Sequence, residues 1–157
     1  TGGDFTLKSL KGSYSLNHSR GKVVLIYFGF TSCPDVCPTT LSNVTRAFKA
    51  LKSDELKNVQ MLFISIDPER DYLEKIQKYS SHFHPQILAL TGSEADLRKT
   101  ASLYGAYFRK VKVSSAMEYT MDHSTGIFVV NKEGKWVNTI PHNASTNEFL
   151  AAIRQGF

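Results

Sequence analysis

The sequence predicts a single α/β domain with parallel strands at its centre. Short segments rich in β-branched and aromatic residues alternate with longer segments whose apolar residues recur at helical spacing. Such alternation of strands and helices is typical of sheets with parallel pairs. A chain of 157 residues, 41% of them hydrophobic, has the size of one ordinary domain and can bury a core without a disulfide.

The first half of the chain predicts a β-hairpin and two strand–helix units. The opening segment GDFTLKSLKGSYSLN alternates apolar and polar residues about Lys11-Gly12, which predicts the hairpin. KVVLIYFGF (22–30) and VQMLFISID (59–67) predict buried strands. After the first strand, Pro34 is compatible with the first turn of a helix. Apolar residues at helical spacing then predict this helix through Leu41, Val44, Phe48 and Leu51. Pro68 fits the start of the next helix, and the apolar face expected for that helix is Tyr72, Ile76 and Tyr79.

The second half predicts a third strand–helix unit and a ββα end. QILAL (86–90) predicts a short strand, and Ser93 is a good N-cap for a helix that ends at Gly105. AYFRKVKV and EYTMDHSTGIFVV suggest further strands, NKEG is a hairpin turn before KWVNTI, and Ser145 or Thr146 opens a terminal helix. This order predicts a thioredoxin-like fold over residues 1–157, with an N-terminal β-hairpin and an inserted hairpin or loop before the C-terminal ββα unit.

The charge pattern argues against nucleic acid as a partner. Lys and Arg exceed Asp and Glu by 19 to 14, but the positive charges are scattered and no aromatic–basic pattern accompanies them. The mild basic balance fits solubility, or an acidic protein or membrane surface nearby. The chain begins at Thr1 without an initiator Met and contains no run near the roughly 18 apolar residues of a membrane helix. We therefore expect a processed or trimmed soluble domain whose leader or anchor is not in this sequence.

Both cysteines of the chain, Cys33 and Cys37, lie in GFTSCPDVCP directly after the first predicted strand. Positions i and i+4 share one face of a helix, so both sulfurs can point to the same spot, and a helix N-terminus stabilises thiolate. This geometry suits a redox dithiol and equally a soft metal ion. A structural disulfide is less well supported because it would close a very small loop, and inert core cysteines remain a further alternative.

A metal ion needs a third ligand, and one of the five histidines is well placed to supply it. His123 lies in YTMDHSTG, just before the strand GIFVV. In the thioredoxin arrangement this loop packs against the dithiol and normally carries a cis-proline, which is missing here. A ligand role and a structural role for His123 both remain open on these grounds. The other four lie in turns, loops or a helix end and are expected at the solvated surface: His18, His82, His84 and His142.

Two thiolates with one imidazole suit copper or zinc. Soft thiolates favour Cu(I), and no convincing fourth ligand for a closed zinc site is found. Asp122 and Asp67 are candidates for an outer shell that orients the ligands. Asp67 could instead cap a helix before Pro68, and Asp71 could cap it equally well.

Three motifs resemble those of one protein family. SCPDVCP (32–38), SIDPERD (65–71) and MDHS (121–124), in this order and spacing, resemble the Sco family of assembly factors for cytochrome c oxidase. The resemblance extends over essentially the whole chain, including the opening FTL…KG hairpin and FHP at 83–85. It implies a thioredoxin-like domain that binds one copper ion, as Cu(I) or Cu(II), through Cys33, Cys37 and His123. Asp67 matches an acidic residue near the family's site.

The resemblance also implies partners and a location. Sco proteins help to assemble the dinuclear copper centre of oxidase subunit II, and some reduce the cysteines of that subunit or of another copper chaperone. They are usually anchored to a membrane and face the bacterial periplasm, the outer surface of the cytoplasmic membrane or the mitochondrial intermembrane space, and we expect one of the bacterial locations. Because a disulfide cannot bind copper, an external thiol reductase is an expected partner.

Two functions therefore lead, a copper metallochaperone and a thiol–disulfide reductase in which Cys33 attacks and Cys37 resolves the mixed disulfide. The absence of CxxC, and of a proline before GIFVV, counts against a general thioredoxin activity but not against a reductase for one client. A peroxiredoxin-like peroxidase is a third class, and its usual proline before the nucleophilic cysteine is missing from Gly29–Cys33.

Overall fold

The computed structural model describes residues 2–33, 36–113 and 119–157, apart from the side chains of Val36 and Asp122. Its elements in chain order are β1 (Thr6–Ser9), β2 (Gly12–Ser15), a 3-10 helix (Leu16–Ser19), β3 (Val23–Gly29), α1 (Val36–Ala50), α2 (Ser53–Leu56), β4 (Val59–Ser65), α3 (Leu73–Phe83), β5 (Ile87–Leu90), α4 (Glu94–Leu103), β6 (Phe108–Lys112), β7 (Tyr119–His123), β8 (Ile127–Val130), β9 (Trp136–Ile140) and α5 (Thr146–Gln155).

A mixed five-stranded sheet forms the centre of the fold, in the order β5–β4–β3–β8–β9. β3 pairs in parallel with β4, and β4 with β5, whereas β8 runs antiparallel to both β3 and β9. All seven residues of β3 are buried, which is expected of the central strand of a sheet covered on both faces. The predicted thioredoxin-like α/β fold is confirmed.

Two hairpins lie outside this sheet. The N-terminal hairpin β1–β2 turns before Gly12, whose φ of +117° favours glycine, and it attaches to the end of β5 through paired backbone hydrogen bonds between Lys8 and Thr91 of 2.8 and 3.0 Å. The hairpin β6–β7 is the predicted insertion before the ββα end. Residues 114–118, between these two strands, lie outside the described part of the chain.

The predicted helix caps of the second half are confirmed. Ser93 Oγ accepts a hydrogen bond from the amide of Asp96 at 3.1 Å, and Ser145 Oγ accepts one from the amide of Glu148 at 3.2 Å. The Glu148 carboxylate accepts in return from the Ser145 amide at 3.0 Å, which completes a capping box at the start of α5. These bonds satisfy amides that the first helical turn leaves without partners.

The expected helix start at Pro68 is wrong. Residues 67–71 form a turn, in which the amides of Arg70 and Asp71 both donate to the Asp67 carbonyl, and α3 begins only at Leu73. Asp67 and Asp71 are not caps, because Tyr72 takes the N-cap position. This also explains why Tyr72 is 63% exposed instead of sharing the buried face of Ile76.

The surface location expected for His84 is wrong as well. His84 is buried beneath α1, with its ring centroid 5.3 Å from that of Phe48, and its Nδ1 accepts a hydrogen bond from the Gln86 amide at 3.0 Å. Burial, and then the nearby charge of Lys49, lowers the pKa of His84 below its ordinary 6.5. Among the residues described, no helix is long and apolar enough to cross a membrane.

Candidate metal centre

The two cysteines lie at the carboxyl end of β3, the central strand of the sheet. Cys33 follows the strand, and Cys37 lies in the first turn of α1, where its amide donates to Cys33 Sγ at 3.4 Å. Neither cysteine is in a disulfide, and Cys37 is fully buried while Cys33 keeps 9% of its surface exposed. Pro34, which we expected in the first turn of this helix, lies outside the described residues.

His123 reaches the cysteines from the last position of β7, where it pairs with Phe108. Its Nδ1 lies 2.8 Å from the carbonyl oxygen of Ser124, and because that oxygen can only accept, Nδ1 carries the proton. Nε2, the other ring nitrogen, faces Cys37 Sγ, 4.0 Å away. A backbone bond at Nδ1 orients the ring so that Nε2 is the nitrogen placed to bind a metal ion.

The structure brings together the three predicted ligands, Cys33, Cys37 and His123. Their two sulfurs and one ring nitrogen all lie within 4.8 Å of one another, and all three residues are buried. Cys37 and His123 are 86 residues apart in the sequence, so the fold alone creates this proximity. Two sulfurs and an imidazole nitrogen at this spacing can hold one soft metal ion with modest adjustment.

The surroundings of Cys37 include a residue that sequence analysis treated only as strand core. The hydroxyl of Tyr27 on β3 donates to Cys37 Sγ at 3.4 Å. A hydrogen bond with the Cys33 sulfur, followed by burial, raises the pKa of the Cys37 thiol far above its ordinary range, while the Tyr27 hydrogen bond opposes this shift. Gly29 leaves room for this arrangement, because a Cβ there would lie 3.0 Å from Cys37 Sγ.

Asp71 holds the cysteine loop in place and was not identified from the sequence as part of the site. It is 1% exposed, and its Oδ2 accepts from the Thr31 amide at 3.0 Å and from Ser65 Oγ at 2.6 Å. Its Oδ1 accepts from Thr31 Oγ1 at 2.5 Å, and Lys75 Nζ lies 3.5 Å away. Because Thr31 precedes Cys33 by two residues, this buried carboxylate fixes the approach of the loop to the first cysteine.

Of the two acids proposed for the outer shell, the structure describes the side chain of Asp67 but not that of Asp122. Asp67 is buried, and its carboxylate accepts from Tyr119 Oη at 2.6 Å and from Arg70 Nε at 2.5 Å, which connects it to the strand that carries His123. The side chain of Asp122 lies outside the described part of the structure, and an outer-shell role stays a prediction for both acids.

Ser124, the residue after His123, closes the base of the β6–β7 hairpin by hydrogen bonds to Tyr107, the residue before β6. Its amide donates to the Tyr107 carbonyl at 3.1 Å, and its Oγ accepts from the Tyr107 amide at 3.0 Å. The backbone on both sides of the imidazole is therefore fixed, by strand pairing before it and by Ser124 after it. On its inner side the imidazole packs edge-on against Phe30, with ring centroids 5.6 Å apart.

Comparison with known proteins agrees with this geometry. The family model described as SCO1/SenC matches residues 1–156. The mitochondrial SCO2 homologue of Mus musculus is 34% identical over 155 residues, which are 98% of this chain and 61% of that protein. The chain thus spans about three-fifths of the length of this curated relative.

Solved structures are similar as well. Apo Sco1 from Thermus thermophilus has a TM-score of 0.90 and 38% identity, over 99% of this chain and 91% of that chain. Bradyrhizobium japonicum ScoI, solved with copper bound, has a TM-score of 0.88 and 33% identity, over 99% of each chain. The match of the family model to nearly every residue, together with these similarities, shows that the chain belongs to the SCO1/SenC family.

Proposed function

We propose that this protein is a copper metallochaperone that binds one copper ion through Cys33, Cys37 and His123. The observation that carries the proposal is the convergence of two thiol sulfurs and one imidazole nitrogen within 4.8 Å at the end of the central strand. Cu(I) prefers soft thiolate ligands and accepts low coordination numbers, whereas the imidazole suits Cu(II). The copper-bound state of the similar Bradyrhizobium japonicum ScoI structure supports the choice of metal.

The site also has the properties that copper transfer requires. Cys33 retains some exposure whereas Cys37 has none, so an incoming client thiolate meets the metal from the Cys33 side. Exchange can then proceed by stepwise replacement of ligands, with Cys37 as the last protein ligand to leave. Copper held in this way would also stabilise the folded domain by mass action.

The client we propose is cytochrome c oxidase subunit II, whose dinuclear copper centre would receive the metal. The Sco resemblance of the three sequence motifs supports this client, and also other copper chaperones as partners. We further propose that the domain works at the extracytoplasmic face of a membrane, as the soluble part of an anchored protein. An external thiol reductase would keep the cysteines reduced in that oxidising compartment.

Titration of the reduced protein with Cu(II) tests the metal site. We expect a thiolate-to-copper charge-transfer band that saturates at about one equivalent. His123→Ala should keep the fold and lose or alter the band, while His82→Ala, a substitution of an exposed histidine on α3, should leave it unchanged. A parent protein without the band, or a His123→Ala variant with an unchanged one, would show the ligand assignment to be wrong.

A second candidate function, reduction of a client disulfide, is favoured by the asymmetry of the two thiols. Cys33 is the more exposed of the two residues, and its sulfur accepts a hydrogen bond from the Cys37 amide at 3.4 Å, as an attacking thiolate would. Its attack would form a mixed disulfide, and Cys37 would then displace the second client thiol, so that the client gains two electrons and two protons while Cys33 and Cys37 form a disulfide. Stoichiometric reduction of an oxidised subunit II fragment by the metal-free dithiol would support this function, and failure of the client to react would exclude it.

A further inference from the structure

The hairpin β6–β7 carries His123 but takes no part in the five-stranded sheet. Its strands pair with each other, from Phe108 opposite His123 to Lys112 opposite Tyr119, as a separate two-stranded sheet. Among the residues that the structure describes, no backbone ladder with the central sheet fixes the position of β7. Side chains from neighbouring elements have to supply this restraint.

A cluster of three residues supplies much of it, at the end of β7 remote from His123. Tyr119 Oη donates to Asp67 Oδ1 at 2.6 Å, and Arg70 Nη1 donates to the Tyr119 carbonyl at 2.9 Å. The Arg70 guanidinium also lies over the Tyr119 ring, 3.7 Å from its centroid. Arg70 Nε donates to Asp67 Oδ2 at 2.5 Å, so both carboxylate oxygens are used. We call Asp67, Arg70 and Tyr119 the Tyr119 latch.

Burial makes the Tyr119 latch stronger than the ion pair that Lys110 of the hairpin forms with Glu69. The side chain of Asp67 is 1% exposed and that of Arg70 21%, whereas the nearby pair of Lys110 and Glu69 is more than half exposed on both sides. Water and salt screen an exposed pair and leave it little net strength. A partly buried arginine that donates to a carboxylate and a carbonyl, and stacks on a ring, makes stronger and more directional contacts.

We infer that Asp67 and Arg70 are positioning residues for the metal site, which act through Tyr119 to set the position of His123 beside Cys37. Tyr119 and His123 are the two ends of one five-residue strand, so a restraint at the first end limits the movement of the second. The turn 67–71 also holds the cysteine loop through Asp71, so one short segment aligns both halves of the site. On this inference, release of the Tyr119 latch lets the imidazole move away from Cys37 while both thiolates stay on α1 and its preceding loop.

The restraint can be measured on the metal-free, reduced protein by hydrogen exchange. We expect Arg70→Ala to accelerate exchange of the β6 and β7 amides about tenfold, because it removes charge-assisted hydrogen bonds that hold the hairpin. The amides of β3 and β4 should keep their parent rates. Unchanged exchange in the hairpin, or an equal acceleration throughout the sheet, would overturn the inference.

Matched variants separate this effect from a general loss of stability. Arg154→Ala removes an arginine–carboxylate pair with Glu55 between α5 and α2 and should leave hairpin exchange at the parent rate. Tyr119→Phe removes the hydroxyl that donates to Asp67 but keeps the ring and the carbonyl that Arg70 contacts. It should therefore accelerate exchange less than Arg70→Ala. Tyr107→Phe, which alters an exposed tyrosine just before the same hairpin, should have no effect.

The copper side of the inference rests on the proposed function and is tested by a double-mutant cycle. Arg70→Ala should weaken Cu(II) binding about tenfold in the parent but less than about twofold in a His123→Ala background, where no imidazole remains to be positioned. Equal factors in both backgrounds would show that Arg70 acts otherwise than through His123. If the parent binds no copper, the proposed function fails, and hydrogen exchange still decides whether the Tyr119 latch exists.

Discussion

Asp71→Asn should destabilise the protein and loosen the cysteine loop at the same time. The parent carboxylate accepts three hydrogen bonds in a buried place, from the Thr31 amide, the Thr31 hydroxyl and the Ser65 hydroxyl. An asparagine keeps one acceptor oxygen and replaces the other with an amino group that can only donate. With its oxygen in the Oδ2 position, the asparagine still accepts from the Thr31 amide and the Ser65 hydroxyl, and its amino group can donate to the Thr31 hydroxyl, which turns to accept. All three bonds nevertheless lose their charge assistance, worth about 1 kcal/mol each, so we expect the free energy of unfolding to fall by about 3 kcal/mol.

Urea unfolding of the reduced, metal-free protein is the assay, because it isolates the fold from copper binding. Asp54→Asn is the matched control: this aspartate is exposed on α2, and its loss should change the free energy of unfolding by less than about 0.5 kcal/mol. If Asp71→Asn also stays within about 0.5 kcal/mol of the parent, the buried carboxylate does not hold the loop and our reasoning is refuted.

Three further predictions concern the site and the core. Tyr27→Phe removes the hydroxyl that donates to Cys37 Sγ, so the sulfur becomes a better electron donor and the thiolate-to-Cu(II) band should move to longer wavelength; a band at the parent position would mean that the hydrogen bond does not persist in the loaded protein. Gly29→Ala would place a Cβ 3.0 Å from Cys37 Sγ and should lower the free energy of unfolding by about 1–3 kcal/mol, whereas parent-like urea stability would contradict such tight packing. Because burial lowers the pKa of His84, the unfolded state binds the proton more tightly than the folded state. The free energy of unfolding should therefore be highest above the ordinary pKa of 6.5 and decline as the pH falls below it. His84→Gln should reduce this decline, whereas His82→Gln should not.

Much of the fold could be predicted from the spacing of apolar residues and from the residues that begin helices. The run of β-branched and aromatic residues in 22–30 is typical of a strand buried on both faces, which β3 is. Ser93 and Ser145 predicted helix starts correctly because N-caps depend on local hydrogen bonds that the sequence encodes directly. The proximity of His123 to the cysteines followed from the predicted topology, since strands placed side by side bring their connecting loops together.

The polar residues that support the site could not be assigned from the sequence. Asp67 and Asp71 lie beside Pro68, so local rules predicted a helix start there, but long-range partners on the cysteine loop and the β6–β7 hairpin use their carboxylates instead. Tyr27 lies in an apolar run and carries no signal that distinguishes a sulfur donor from an ordinary core ring. His84 follows a helix end, where exposure is usual, and only the packing of α1 over that end buries it.

The two hydrogen bonds between Ser124 and Tyr107 restrict which residue can occupy position 124. A proline at position 124 would lack both the amide that donates to the Tyr107 carbonyl and the hydroxyl that accepts from the Tyr107 amide. The proline that a thioredoxin places in this part of the fold to present extended substrates is therefore incompatible with a hairpin closed in this way. A proline introduced at position 124 would therefore open the base of the hairpin, so a proline platform for substrates could be built into this chain only together with a redesign of the hairpin.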